Sequence, residues 1–142
     1  MTDLAAALRA VLPEGVALGV AVPGEAGLDW PGEALPHAVP HRLAEFRAGR
    51  LAARRAMQHL AVAPCAIPIG DDRAPIWPAG LVGSISHCDG ACMAVVSRAG
   101  IWRGLGLDIE PDRALPPEIW PTVLRPEEMR FSMANPEAAL AI

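Results

Sequence analysis

From His41 to about Val62 the chain reads as one long helix. The stretch is rich in Ala, Leu, Arg and Met, contains no proline and only Gly49, and stops near Pro64. The chain's 15 prolines and 13 glycines fall almost wholly outside it. Every other element must therefore be short, and the fold has to be assembled around this segment.

Before it, Thr2 or Asp3 caps a short helix with Leu4, Leu8, Val11 and Leu12 on one face, closed by Pro13. Gly15–Val22 reads as a buried strand ended by Pro23-Gly24, and 23–40 as a proline-rich covering segment that carries Trp30. After it, a short strand is expected at Ala66–Ile69, then the turn Gly70-Asp71-Asp72-Arg73 and a second short strand before Trp77. Leu81–His87 and Cys92–Ser97 read as antiparallel strands joined at Asp89-Gly90. Ile101–Ile109 would be a third, stopped by Pro111. Pro116–Val123 and Pro126–Phe131 are short helices with proline in the first turn.

With 52% hydrophobic and 20% charged residues, the chain is globular. A net charge of −4 argues against general affinity for nucleic acid or anionic membranes. All 12 basic residues are arginine, so an anion site must use Arg, His or backbone N–H groups. Three cysteines give no disulfide framework, and His87, Cys88 and Cys92 lack the second ligand pair of a zinc site. There is no basic leader at the N-terminus and no apolar run of about 18 residues, which predicts a soluble, cytoplasmic protein.

Three groups of residues carry chemistry. At about 100° per residue, Arg47, Arg50 and Arg54 lie within roughly 60° of one another, on the same side as Leu43, Phe46 and Met57. They are either a snorkelling ridge, partners of core carboxylates, or an anion site whose guanidinium forks fit phosphate. Arg73, Ser84, Ser86 and His87 supply the guanidinium, hydroxyls and imidazole that a phosphate group needs, although a strand-end histidine is more often structural. Asp108 and Glu110 are two apart, so an extended chain points both carboxylates to one face with Cα atoms roughly 6.5–7 Å apart. At an effective dielectric of about 20 they repel by around 2–3 kcal/mol. They are either two solvated charges or an oxygen-donor pair suited to Mg²⁺.

Taken together these residues resemble the 4′-phosphopantetheinyl transferases, in particular the larger type related to the enterobactin-type siderophore-synthase enzymes. The first block is Arg42-Leu-Ala-Glu-Phe46-Arg-Ala-Gly49-Arg50-Leu-Ala-Ala-Arg54. The second runs from Gly70 to Cys88 through Arg73, Pro75, Trp77-Pro78, Gly83-Ser84 and Ser86-His87. The third is Gly106-Leu-Asp108-Ile-Glu110-Pro111.

The resemblance implies an α+β fold with a complete N-terminal lobe at 1–100 and the start of a second lobe at 101–142. It implies that Arg42 and Arg50 contact the 3′-phosphorylated adenosine of coenzyme A, that Arg73, Ser86 and His87 lie near its phosphates, and that Asp108 and Glu110 ligate Mg²⁺. The reaction would move the 4′-phosphopantetheine arm to a serine of an acyl or peptidyl carrier protein, releasing 3′,5′-ADP. Arg47, Arg54 and Arg55 receive no role from it. The family's aromatic-Ser-x-Lys-Glu-Ala motif, with the third metal carboxylate and the candidate base, would begin about where Ala138–Ile142 ends the sequence. The expectation is therefore a truncated enzyme that binds coenzyme A with little turnover alone. The rival is a non-catalytic module that binds coenzyme A or another phosphate ligand.

Overall fold

The computed structural model describes residues 2–25, 29–88, 90–111, 113 and 115–134. They fall into two compact units, Met1–Glu110 and Pro111–Ile142.

The first unit contains α1 (Thr2–Val11), β1 (Val16–Ala21), α2 (Pro40–His59), β2 (Leu81–Cys88) and β3 (Ala91–Arg98). The strands form one antiparallel sheet in the order β1-β3-β2. β3 is therefore central, and its side chains alternate between two buried faces. On one face Cys92, Ala94 and Val96 join Ala17, Ala21 and Leu81 against Ala48, Ala52, Ala53, Ala56 and Met57 of α2. On the other, Met93 and Val95 join Leu18, Ala5 of α1 and Ile109, with Leu105 and Leu107 packed beside them. The sheet is thus sandwiched between α2 and a second layer made by α1 and the 105–109 segment.

The α2 face is built of small residues so that helix and sheet approach closely. A Cβ on Gly19 would lie 1.9 Å from the Ala52 carbonyl oxygen, and one on Gly49 2.8 Å from Ile85 Cγ2. α2 begins with Pro40 in its first turn and no side-chain cap. It ends three residues short of the expected Val62. There Ala61 adopts φ 54°, and the N–H groups of Ala61 and Val62 donate to the carbonyls of Gln58 and Met57. This is a Schellman stop made without glycine, which composition does not reveal. At the sheet's margin, α2 reaches around β1: Arg55 Nη1 donates to the Val20 carbonyl at 2.6 Å and His59 Nδ1 to that of Leu18 at 3.1 Å.

Three expected strands are absent. Around Ala66–Ile69 and the stretch before Trp77 only a single bridge, Ile69 to Pro75, forms. Ile101–Ile109 joins no ladder. Instead the N–H groups of Leu107 and Ile109 donate to the hydroxyls of Ser84 and Ser86, at 3.1 and 3.2 Å. Serine side chains thus stand in for the carbonyls that a neighbouring strand would offer. The segment 101–110, read from sequence with the second lobe, packs within the first unit through Leu105, Leu107 and Ile109.

In the second unit a single 3₁₀ turn, Pro117–Ile119, leads into α3 (Trp120–Val123), and α4 spans Pro126–Ala134. Both expected helices are present. The Asp89 half of the expected Asp89-Gly90 turn lies outside the described residues, while Gly90 takes φ 82°.

Candidate functional site

The arginines of α2 separate into two kinds. Arg47 makes a two-pronged pair with Asp29, both distances 2.7 Å, and holds that carboxyl below its usual range. Arg54 Nη1 donates to Glu33 Oε1 at 2.6 Å, stacks on Trp30 at 4.6 Å, and is buried with its partner. The same Glu33 oxygen accepts the N–H of Ile67 at 2.8 Å. Arg55 reaches Glu25 at 3.1 Å as well as the Val20 carbonyl. These three pin Glu25, the 29–33 stretch and the chain around Ile67 to the helix. Arg54 realises the core-carboxylate alternative, whereas Asp29 and Glu25 are exposed partners.

Arg50 is different. It is only 6% exposed, and among the described residues its one hydrogen bond runs from Nε to the Ile67 carbonyl at 3.0 Å. Phe46 lies under its guanidinium at 4.3 Å. Burial pushes its pKa down to about 10, and Glu33 offsets only part of that. Arg50 is thus a desolvated cation with no carboxylate hydrogen-bonded to it among the described residues.

Arg50 opens on two adjoining cavities. One, of about 490 Å³, is lined by Arg42, Phe46, Arg50 and Arg73 together with His37 and Ile69. The other, of about 170 Å³, is lined by Arg42, Glu45, Arg50, Arg73 and His87, among others. Four sequence-predicted residues, Arg42, Arg50, Arg73 and His87, are thus brought together although 45 positions separate the first from the last. Arg73 is placed there by a left-handed backbone, φ 68°, an uncommon conformation for a non-glycine residue. Arg42 Nη1 donates to His87 Nε2 across the cavity mouth.

Ser86 belongs to the opposite face of the sheet. Adjacent residues on a strand point to opposite sides, and β2 directs Ile85 and His87 to α2 but Ser84 and Ser86 to the 105–109 layer. There the Ser86 hydroxyl donates to Asp108 Oδ1 at 2.8 Å. Asp108 and Glu110 are exposed on either side of buried Ile109. Neither lines the arginine cavities. Among the described residues no three His, Cys, Asp or Glu side chains converge as a metal cage.

Sequence reasoning missed Glu45. It is the only acidic residue of α2, 9% exposed, and lies between His41, Arg42 and His87 at 3.0, 3.3 and 3.9 Å. A single carboxylate inside a basic helix, three or four residues after His41 and Arg42, was the available signal. Cys92, whose thiol burial pushes up to about 11, donates to the Glu45 carbonyl at 3.5 Å.

The profile of the 4′-phosphopantetheinyl transferase N-terminal domain matches residues 31–97, which encloses α2, Arg73 and His87. Over that stretch the chain is similar to the 4′-phosphopantetheinyl transferases. It is 40% identical over 93 residues to the 4′-phosphopantetheinyl transferase Npt of Nocardia iowensis, covering 66% of this chain and 42% of that protein. It is 38% identical over 106 residues to PptT of Mycobacterium tuberculosis, covering 75% and 47%. To enterobactin synthase component D of Salmonella typhi it is 40% identical over 97 residues, covering 66% and 39%. The chain thus spans less than half the length of these curated relatives. No helix among the described residues is long and apolar enough to cross a membrane.

Proposed function

We propose that this chain is the coenzyme A-gripping part of a Mg²⁺-dependent 4′-phosphopantetheinyl transferase. The observation that carries this reading is the convergence of Arg42, Arg50, Arg73 and His87 on adjoining cavities in the domain shared with the transferases. Arg42 and Arg50 would hold the 3′-phosphorylated adenosine, with Phe46 as an apolar wall. Arg73 and His87 would hold the diphosphate from the α2 side, and Ser86 acts from the opposite face by orienting Asp108.

The carboxylates fit a hard divalent cation. Both are exposed, all donors are oxygen, and Mg²⁺ needs only one or two carboxylates when water and phosphate complete its shell. Asp108 and Glu110 would hold it beside the β2 edge, where it would supply charge neutralisation to a diphosphate reaching around that edge from the α2 side. The acceptor is the serine of an acyl or peptidyl carrier protein, in siderophore or related biosynthesis. No residue of this chain is assigned as the base for that serine. The same reading puts the protein in the cytoplasm, where cysteines outside disulfides stay reduced.

Calorimetry with coenzyme A tests the binding step: uptake of ligand is expected, strengthened by Mg²⁺, and its absence with Mg²⁺ present overturns the reading. For transfer, the chain is mixed with a separately made carboxy-terminal part of a relative and a carrier protein. Arm transfer only in the mixture is expected. Binding without transfer in that mixture identifies a coenzyme A-binding module instead.

A further inference from the structure

Glu45 is out of place in a site for a polyanion. A buried carboxylate beside the phosphate cavity repels the ligand unless it serves the cations around it. Its Oε1 lies 3.0 Å from His41 Nε2 and 3.9 Å from His87 Nδ1, and its Oε2 3.3 Å from Arg42 Nη1. Arg42 in turn donates to His87 Nε2. A guanidinium has only donors, so Nε2 must present a lone pair, and the ring hydrogen sits on Nδ1, facing Glu45. The outward nitrogen of His87 is thus occupied by Arg42.

We propose that Glu45 is the positioning residue of this cluster and that phosphate binding there loads a proton onto His87. A phosphate oxygen draws Arg42 away from Nε2. Nε2 then bonds the phosphate as a donor by taking a proton from solvent, because moving the Nδ1 hydrogen there instead would turn a lone pair toward Glu45; one N–H bond forms and nothing is oxidised or reduced. The resulting imidazolium lies between the carboxylate on its Nδ1 side and the phosphate on its Nε2 side, and both favour the charged form. Among the described residues, the other groups around this cluster are His41, Arg42 and Arg50 from α2, Arg73 from the 70–75 turn, Cys92 opposite His87 on β3 and Cys88 beside it on β2. Asp108 meets neighbouring Ser86 on the far face of the sheet. Among these, Glu45 is the carboxylate on His87's own face.

The inference rests on the reading that a phosphate-bearing ligand enters the Arg42–His87 cavity, and its test separates the two. Coenzyme A is titrated calorimetrically near neutral pH in two buffers of different ionisation enthalpy. The expected result is a heat that differs between buffers by net proton uptake. Glu45→Gln is expected to lose that uptake and bind about tenfold more weakly, a change of about 1.4 kcal/mol. Binding with equal heats in both buffers overturns the inference, as does uptake retained in Glu45→Gln. If Glu45→Gln fails to fold, His87→Gln, at a position 36% exposed on the sheet edge, replaces it, and retained uptake there is equally fatal. If coenzyme A does not bind, the functional reading falls. Inorganic pyrophosphate in the same buffers then decides the inference: uptake supports it, and its absence overturns it.

Discussion

Arg50 and Arg54 lie one helical turn apart, are equally buried, and do opposite things. Arg54 is matched to Glu33, so Arg54→Ala strands a carboxylate that is 2% exposed. Urea unfolding is expected to show a loss of about 3–5 kcal/mol, mostly recovered when Glu33→Gln removes the orphaned charge. Arg50 has no such match. Arg50→Met keeps the length and removes a desolvated cation, so stability should move by no more than about 1 kcal/mol while coenzyme A affinity falls at least about tenfold. A large loss of stability with affinity intact would show that Arg50 is a structural residue. Helical phase put both on one sector but could not tell them apart, because their partners Glu33 and Ile67 come from loops on either side of α2 in sequence. Only the folded path of those loops decides which arginine is neutralised.

Among the elements, α1, β1, α2, β2 and β3 were legible from apolar runs bounded by Pro, Gly and Asp. The segments at 66–69, before Trp77 and at 101–109 were not, since a short apolar run says nothing about whether a partner backbone lies alongside. In the 105–109 case the partner is a pair of hydroxyls. Ser84→Ala removes the acceptor of the Leu107 amide, and hydrogen exchange at that amide should accelerate about tenfold or more, with the β2–β3 ladder unchanged. An unchanged Leu107 rate would mean that packing of Leu105, Leu107 and Ile109 holds the segment without the serine. The same pleat explains Ser86: adjacency to His87 in sequence suggested a shared ligand, whereas alternation sends it to the carboxylates.

At the scale of the molecule, the cation cluster could be foreseen only in part. Arg42, Arg50, Arg73 and His87 were named from residue type and family blocks, but the balancing Glu45 was hidden among helix arginines. What sequence also concealed is how the sheet is finished at its two margins. β2 is bordered by serine-held chain, and β1 has two acceptors engaged by Arg55 and His59. A strand arriving from another molecule meets occupied carbonyls at β1, and must evict a guanidinium and an imidazole to dock. For a chain that is 52% hydrophobic, those two side chains close two of the acceptors through which edge-to-edge pairing of copies would have to begin.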